Sequence, residues 1–140
     1  SYVAVHLRFV NALENFEEVT CCDNALYTEK EKTALINRCK QGLLRIKEEN
    51  GGCRVMVFSD SKRFLDSLVD ISVEVLNHDN IGHVSHEGDD ASTLKTFLDL
   101  YMIARAKKVY RIDAPELYAW SGFALTGAMI GEKDFLTEKV

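Results

Sequence analysis

A histidine and an arginine two positions apart close the first apolar run of the chain, Tyr2-Val3-Ala4-Val5-His6-Leu7-Arg8-Phe9. Residues two apart on a strand project to the same face. His6 and Arg8 therefore stand side by side at the carboxyl end of a buried strand, where open α/β sheets bind ligands. Arginine suits a phosphate there, because its planar fork offers paired donors and keeps its charge. The pair points to an anionic ligand such as a nucleotide or nucleotide-sugar. The same two residues also fit an edge arginine paired with a carboxylate above a satisfied histidine.

Further candidates lie along the chain. Ser59-Asp60-Ser61 follows the second apolar run. It reads as a helix cap, and its loop would lie beside the strand-one loop and could touch the same ligand. Asp99 is set among Phe97, Leu98, Leu100 and Met102. A carboxylate in such company is costly to bury without partners. It either faces solvent, pairs with a residue such as Arg105, or accepts hydrogen bonds from a base or ribose. Guanine, with its amide and amine donors, would suit it. Ser121-Gly122-Phe123, after Trp120, opens the last helical stretch. A hydroxyl, a glycine and free N–H groups at a helix start make either an anion site or a plain cap. His78, His83 and His86 share a polar loop with Asp79, Glu87, Asp89 and Asp90, but their spacings match no metal-ligand motif, and no metal is expected.

These residues need elements to carry them, and the elements alternate. Strands are expected at residues 2–8, 53–58, 71–76 and 108–112 from their β-branched and aromatic content. Helices are expected at 29–49, 62–69, 91–106 and 123–130. Thr28 caps the first, and Asn50-Gly51-Gly52 ends it. The tail, 131–140, is charged and expected to be exposed, with a final short strand. Strand–helix alternation predicts an α/β fold: a three-layer Rossmann-like parallel sheet with helices on both faces. GxGxxG and GxxxxGK[ST] are absent, so neither dinucleotide binding nor P-loop chemistry is indicated.

The 140 residues fit one domain, 1–140. A net charge of −5 argues against general nucleic-acid binding. No apolar run reaches the length of a membrane span. The opening residues read as a core strand rather than a signal peptide. With no initiator methionine, the chain is expected to be one domain of a longer protein. Cys21, Cys22, Cys39 and Cys53 match neither a disulfide framework nor a CxxC zinc signature. They read as reduced thiols, which suits the cytoplasm.

Taken in order, the His6-x-Arg8 strand, the Ser59-Asp60 turn, Asp99 in a helix and Ser121-Gly122-Phe123 resemble the donor-binding half of the GDP-fucose-dependent fucosyltransferase superfamily. Val5-His6-Leu7-Arg8-Phe9 is most similar to the His-Leu-Arg-Phe strand of plant-type protein O-fucosyltransferases. Nodulation-type and core α-1,6-fucosyltransferases carry related segments. The resemblance runs from residue 2 to about residue 131. Relatives place a second basic residue or Gly-Asp after the arginine, whereas Phe9-Val10-Asn11 stand here.

The resemblance implies one half of a GT-B glycosyltransferase. Fucose would pass from GDP-fucose to an oxygen of a glycan or protein acceptor, by an inverting, metal-independent reaction with no further cofactor. Arg8 would contact the diphosphate and stabilise charge on departing GDP, and so act as the catalytic residue. His6 would shape the nucleotide site, Asp99 would hold guanine, and Ser121, Gly122 and Phe123 would bind phosphate. Ser59 and Asp60 would line the same site. The acceptor side would lie on a second domain of the parent chain. The alternative is a non-catalytic Rossmann-like nucleotide-binding or interaction module. A third reading, a phosphotransfer or hydrolase domain using Asp60, would need a carboxylate cluster beside strand two.

Overall fold

The computed structural model describes residues 1–13, 27–76, 90–120 and 122–140. Its elements are β1 (Tyr2–Leu7), α1 (Glu29–Glu49), β2 (Arg54–Ser59), α2 (Lys62–Asp66), β3 (Glu74–Val75), α3 (Asp90–Arg105), β4 (Val109–Asp113), α4 (Gly122–Ile130) and β5 (Phe135–Lys139). A 3-10 turn, Ser67–Asp70, continues α2. The strands form a parallel five-stranded sheet in the order β3-β2-β1-β4-β5. The chain has the expected α/β Rossmann-like fold.

Local chemistry explains most boundaries. Thr28 Oγ1 accepts from the Glu31 N–H, and the Glu31 side chain accepts from the Thr28 N–H, a complete capping box. Leu35, Ile36, Cys39, Leu43 and Ile46 recur at helical spacing and are buried. Gly51 and Gly52 then take φ of 67° and 73°, which stops the helix.

Two expectations change. The strand expected at 71–76 pairs with β2 only at Glu74 and Val75. The Val73 N–H donates to the Ile71 carbonyl (3.0 Å), a three-residue turn that holds the backbone off the ladder. Ile71 and Val73 pack against the core instead, so their β-branched side chains fill volume rather than extend the sheet. The helix expected at 62–69 is α-helical only to Asp66. The charged tail does contain a strand: all five residues of β5 pair with β4. Its Glu138 and Lys139 suit an exposed edge.

The core lies in two layers around the sheet. Val3, Val5, Leu7, Val55 and Val57 face α1 and α2, with Leu43, Ile46 and Phe64 among their partners. Ala4, Met56, Phe58 and Val109 face α3 and α4, with Ile103, Ala124 and Ala128. Strand order runs outward from β1 through β2 to β3, then resumes on the other side with β4. The connection changes sheet face at that reversal. A crevice therefore opens at the carboxyl ends of β1 and β4, the topological switch point at which such sheets bind ligands.

The α3 and α4 helices approach closely at Gly127. A Cβ there would lie 2.5 Å from Ile103 Cγ2 and 3.0 Å from Ile103 Cβ. Ile103 is fully buried and has no room to retreat. Gly127→Ala is expected to destabilise the fold by about 1–3 kcal/mol, the usual cost of overpacking. Urea denaturation measures it, and an unchanged midpoint would contradict the packing described.

Candidate functional site

The switch point gathers residues from four segments. His6 is the penultimate residue of β1, in register with Phe58 on β2 and Arg111 on β4. It is buried, and its ring lies 5.7 Å from that of Phe123 at the start of α4. Burial, and then the neighbouring Arg8 charge, push its imidazole down to about 4. His6 is therefore neutral near pH 7.

Arg8 lies just past the strand. Its Cζ sits over the Tyr118 ring, 5.1 Å from the centroid. The Tyr118 N–H donates to the Arg8 carbonyl (2.9 Å). Arg8 Nε is buried and has no hydrogen-bond partner among the described residues. None of the ion pairs among the described residues involves this guanidinium. The edge ion pair, one of the two readings of the His6–Arg8 spacing, is not formed there.

Asp60 has a visible task. Its Oδ1 accepts from the Phe9 N–H (2.8 Å) and its Oδ2 from the Val10 N–H (2.9 Å). These bonds tie the end of β2 to the turn after β1, where Val10 takes a φ of 53°. Burial raises the Asp60 carboxyl above its ordinary range, against the lowering effect of those N–H groups and of Arg8. Ser59 Oγ accepts from the Ser61 N–H (3.1 Å), and Ser61 Oγ caps α2 at the Phe64 N–H (3.1 Å). The Ser59-Asp60-Ser61 turn is thus a cap and a brace, beside the Arg8 segment.

Gly122 is exposed, and a Cβ built on it would meet nothing within 4 Å. The fold itself does not require glycine there. Phe123 is half-buried against His6. Ser121 lies outside the described residues, as do His78, His83, His86, Cys21 and Cys22.

Asp99 is paired, but with Lys95 rather than Arg105: Lys95 Nζ donates to both Asp99 oxygens, at 2.6 Å for Oδ2. Arg105 instead sits over Tyr101. Burial raises the Asp99 carboxyl, and Lys95 opposes the rise. Asp99 precedes the buried Ile103 by four residues, so both lie on one stripe of α3. No bond joins it to His6 or Arg8 among the contacts described.

Two contributors were not singled out in the sequence. Tyr118 holds Arg8 from the β4–α4 loop. Arg111 secures that loop by donating to the Ala119 carbonyl, with a second bond to Thr137 Oγ1 (3.0 Å). A charged residue near the end of a core strand was the available signal for Arg111. Cys39 is a core thiol whose pKa burial pushes up to about 12. Among the described residues no group of three or more His, Cys, Asp or Glu side chains could hold a metal ion. None of the described helices is long and apolar enough to cross a membrane.

With this geometry in view, one solved structure is informative. The chain is similar in fold to NodZ alpha-1,6-fucosyltransferase, co-crystallized with GDP. The TM-score is 0.54 at 14% identity, over 93% of this chain and 35% of that one. The chain thus spans about a third of that enzyme's length and has a fucosyltransferase-like fold. No family model matches the chain, and no curated protein matches it.

The depressed His6 value has a measurable consequence. The unfolded chain, at the ordinary 6.5, takes up this proton before the folded one, at about 4. Its contribution to stability is complete above pH 6.5 and lost as pH falls towards 4, in total about 3 kcal/mol. Urea melts of the wild type and His6→Gln at pH 7 and pH 4.5 should show the wild type losing the larger share. Parallel losses in the two proteins would rule out a buried neutral His6.

Proposed function

We propose that this domain binds the nucleoside diphosphate of a nucleotide-sugar, GDP-fucose by preference, in the crevice between the carboxyl ends of β1 and β4. The observation that carries the reading is Arg8: a guanidinium at the switch point with a buried Nε lacking a partner and no ion pair among the described residues. A diphosphate supplies the acceptor oxygens that such a fork lacks. The likeness in fold to a fucosyltransferase co-crystallized with GDP supports the choice of ligand.

In this reading Arg8 is the catalytic residue. Glycosyl transfer builds negative charge on the departing diphosphate, and a cation fixed in advance lowers that barrier. The start of α4 supplies N–H groups from Gly122 and Phe123, with the Ser121 hydroxyl, to the phosphates. Neutral His6 supports Phe123 and packs the floor. Ser59 and Asp60 hold the turn that carries Arg8. Asp99, sharing its charge with Lys95, keeps lone pairs for guanine donors. Transfer is inverting, needs no metal, and passes fucose to an acceptor oxygen held on a second domain of the parent chain. Residues 1–140 are the donor domain.

Titration calorimetry of the 140-residue chain should detect GDP and GDP-fucose. Arg8→Ala should weaken both by about ten- to a hundredfold, the worth of a charged hydrogen bond. If neither ligand binds the folded chain, or Arg8→Ala binds as well as wild type, the reading is wrong.

Gly122 offers a separate check. Its Cβ direction is open, and alanine favours helix over glycine. Gly122→Ala should leave the melting temperature unchanged or raise it, yet weaken GDP binding. Unaltered GDP affinity would remove Gly122 from the phosphate site.

A further inference from the structure

We propose that Tyr118 is a positioning residue for Arg8, holding its guanidinium ready for the diphosphate without neutralising it. The proposal rests on the donor-site reading and deepens it. A long arginine side chain with no bound anion must be held by something, or it samples many rotamers and loses entropy on binding. The usual restraint is a carboxylate, but a carboxylate would cancel the charge and occupy the fork. Among the described residues Asp60 is an acid that feels the Arg8 charge, and both its oxygens already take main-chain N–H groups from Phe9 and Val10. The partner is instead an aromatic ring, with Arg8 Cζ 5.1 Å from its centroid. A ring attracts a cation, leaves its charge intact and places no acceptor oxygen on the fork.

The ring can do this because its loop is pinned. The Tyr118 N–H bonds the Arg8 carbonyl, so the two residues are fixed to each other through main chain as well as side chain. One residue later, the Ala119 carbonyl accepts from Arg111, whose strand is paired with β1. One residue earlier, Leu117 is buried and its N–H bonds the Ala114 carbonyl. Glu116 pairs with Arg38 on α1. Tyr118 is itself 52% exposed, so its ring contributes little to the core and its burial does not explain this bracing.

The test compares Tyr118→Phe, which keeps the ring, with Tyr118→Leu, which keeps bulk and loses it. Affinities for GDP and GMP are measured by calorimetry. A ring that positions Arg8 should matter most for the diphosphate: Tyr118→Leu should lower the GDP-to-GMP affinity ratio about three- to tenfold, a cation–π contact's worth, with Tyr118→Phe near wild type. A ratio unchanged in Tyr118→Leu, or equally reduced in Tyr118→Phe, overturns the proposal. The Arg8 Nε–H resonance, assigned by its loss in Arg8→Lys, gives a readout without ligand. It should shift in Tyr118→Leu and stay in Tyr118→Phe. Should the wild type bind neither nucleotide, the donor-site reading falls, and this resonance alone decides whether Tyr118 holds Arg8; an unshifted signal in Tyr118→Leu says that it does not.

Discussion

Two main-chain N–H groups beyond the end of β1, those of Phe9 and Val10, point at a single carboxylate beyond the end of β2. The described residues that follow β1 and β2 are held together by that contact. A chain leaving a parallel strand normally runs on towards the next helix. Here it is drawn across towards β2, Val10 accepts a left-handed φ, and the Phe9 ring tucks against Phe64 at 4.9 Å between centroids. Arg8, between the strand and the bound turn, is left on the opposite face with His6. Had Asp60 been free, it would have been the natural ion-pair partner for Arg8. Because it is engaged with two N–H groups, it influences the arginine only through space.

The electrostatics of the site follow from that engagement. His6 is buried beside a cation and so carries no charge near neutral pH. Asp60 is tied to backbone, and Asp99 to Lys95. Among the described residues, Arg8 remains at the crevice as a guanidinium steadied by a ring, beside the first residues of α4, with Arg111 bonded to the Ala119 carbonyl and Thr137. The dipole of a helix start favours negative charge there as well. These charges are those that the proposed anion site requires, whatever the identity of the anion.

Much of this was readable in residues one or two turns apart. The Thr28 cap and the α1 stripe are local patterns, and both are observed; β1 carries His6 but ends at Leu7, one residue before Arg8. The errors arise where tertiary contacts decide. Ile71 and Val73 have strand-like side chains, but a turn between them removes their backbone from the sheet, and packing uses the side chains anyway. Asp99 was expected to pair with a residue such as Arg105, six positions on, whereas Lys95, four residues before it and on the same helix face, is the one bonded. Tyr118 gave no signal at all, because its role exists only once the β4–α4 loop crosses the end of β1. Asp60 looked like a cap and proved to be a brace across strands, a distinction invisible without the turn that it holds.

At 14% identity, what this chain shares with a fucosyltransferase is the path of its backbone. That path alone supplies a crevice at the β1–β4 reversal and a helix start beside it. It does not supply affinity, and here the rest of the molecule works against an anion. The chain carries a net charge of −5, so its overall field repels a diphosphate at long range. The proposed binding would therefore have to come from contacts made within a few ångströms, where Arg8 and the α4 N–H groups would outweigh the distant acids. Under that requirement the proposed reading depends on the position of Arg8. On that reading, a guanidinium that swung onto a carboxylate would leave the backbone intact and weaken the attraction of the site.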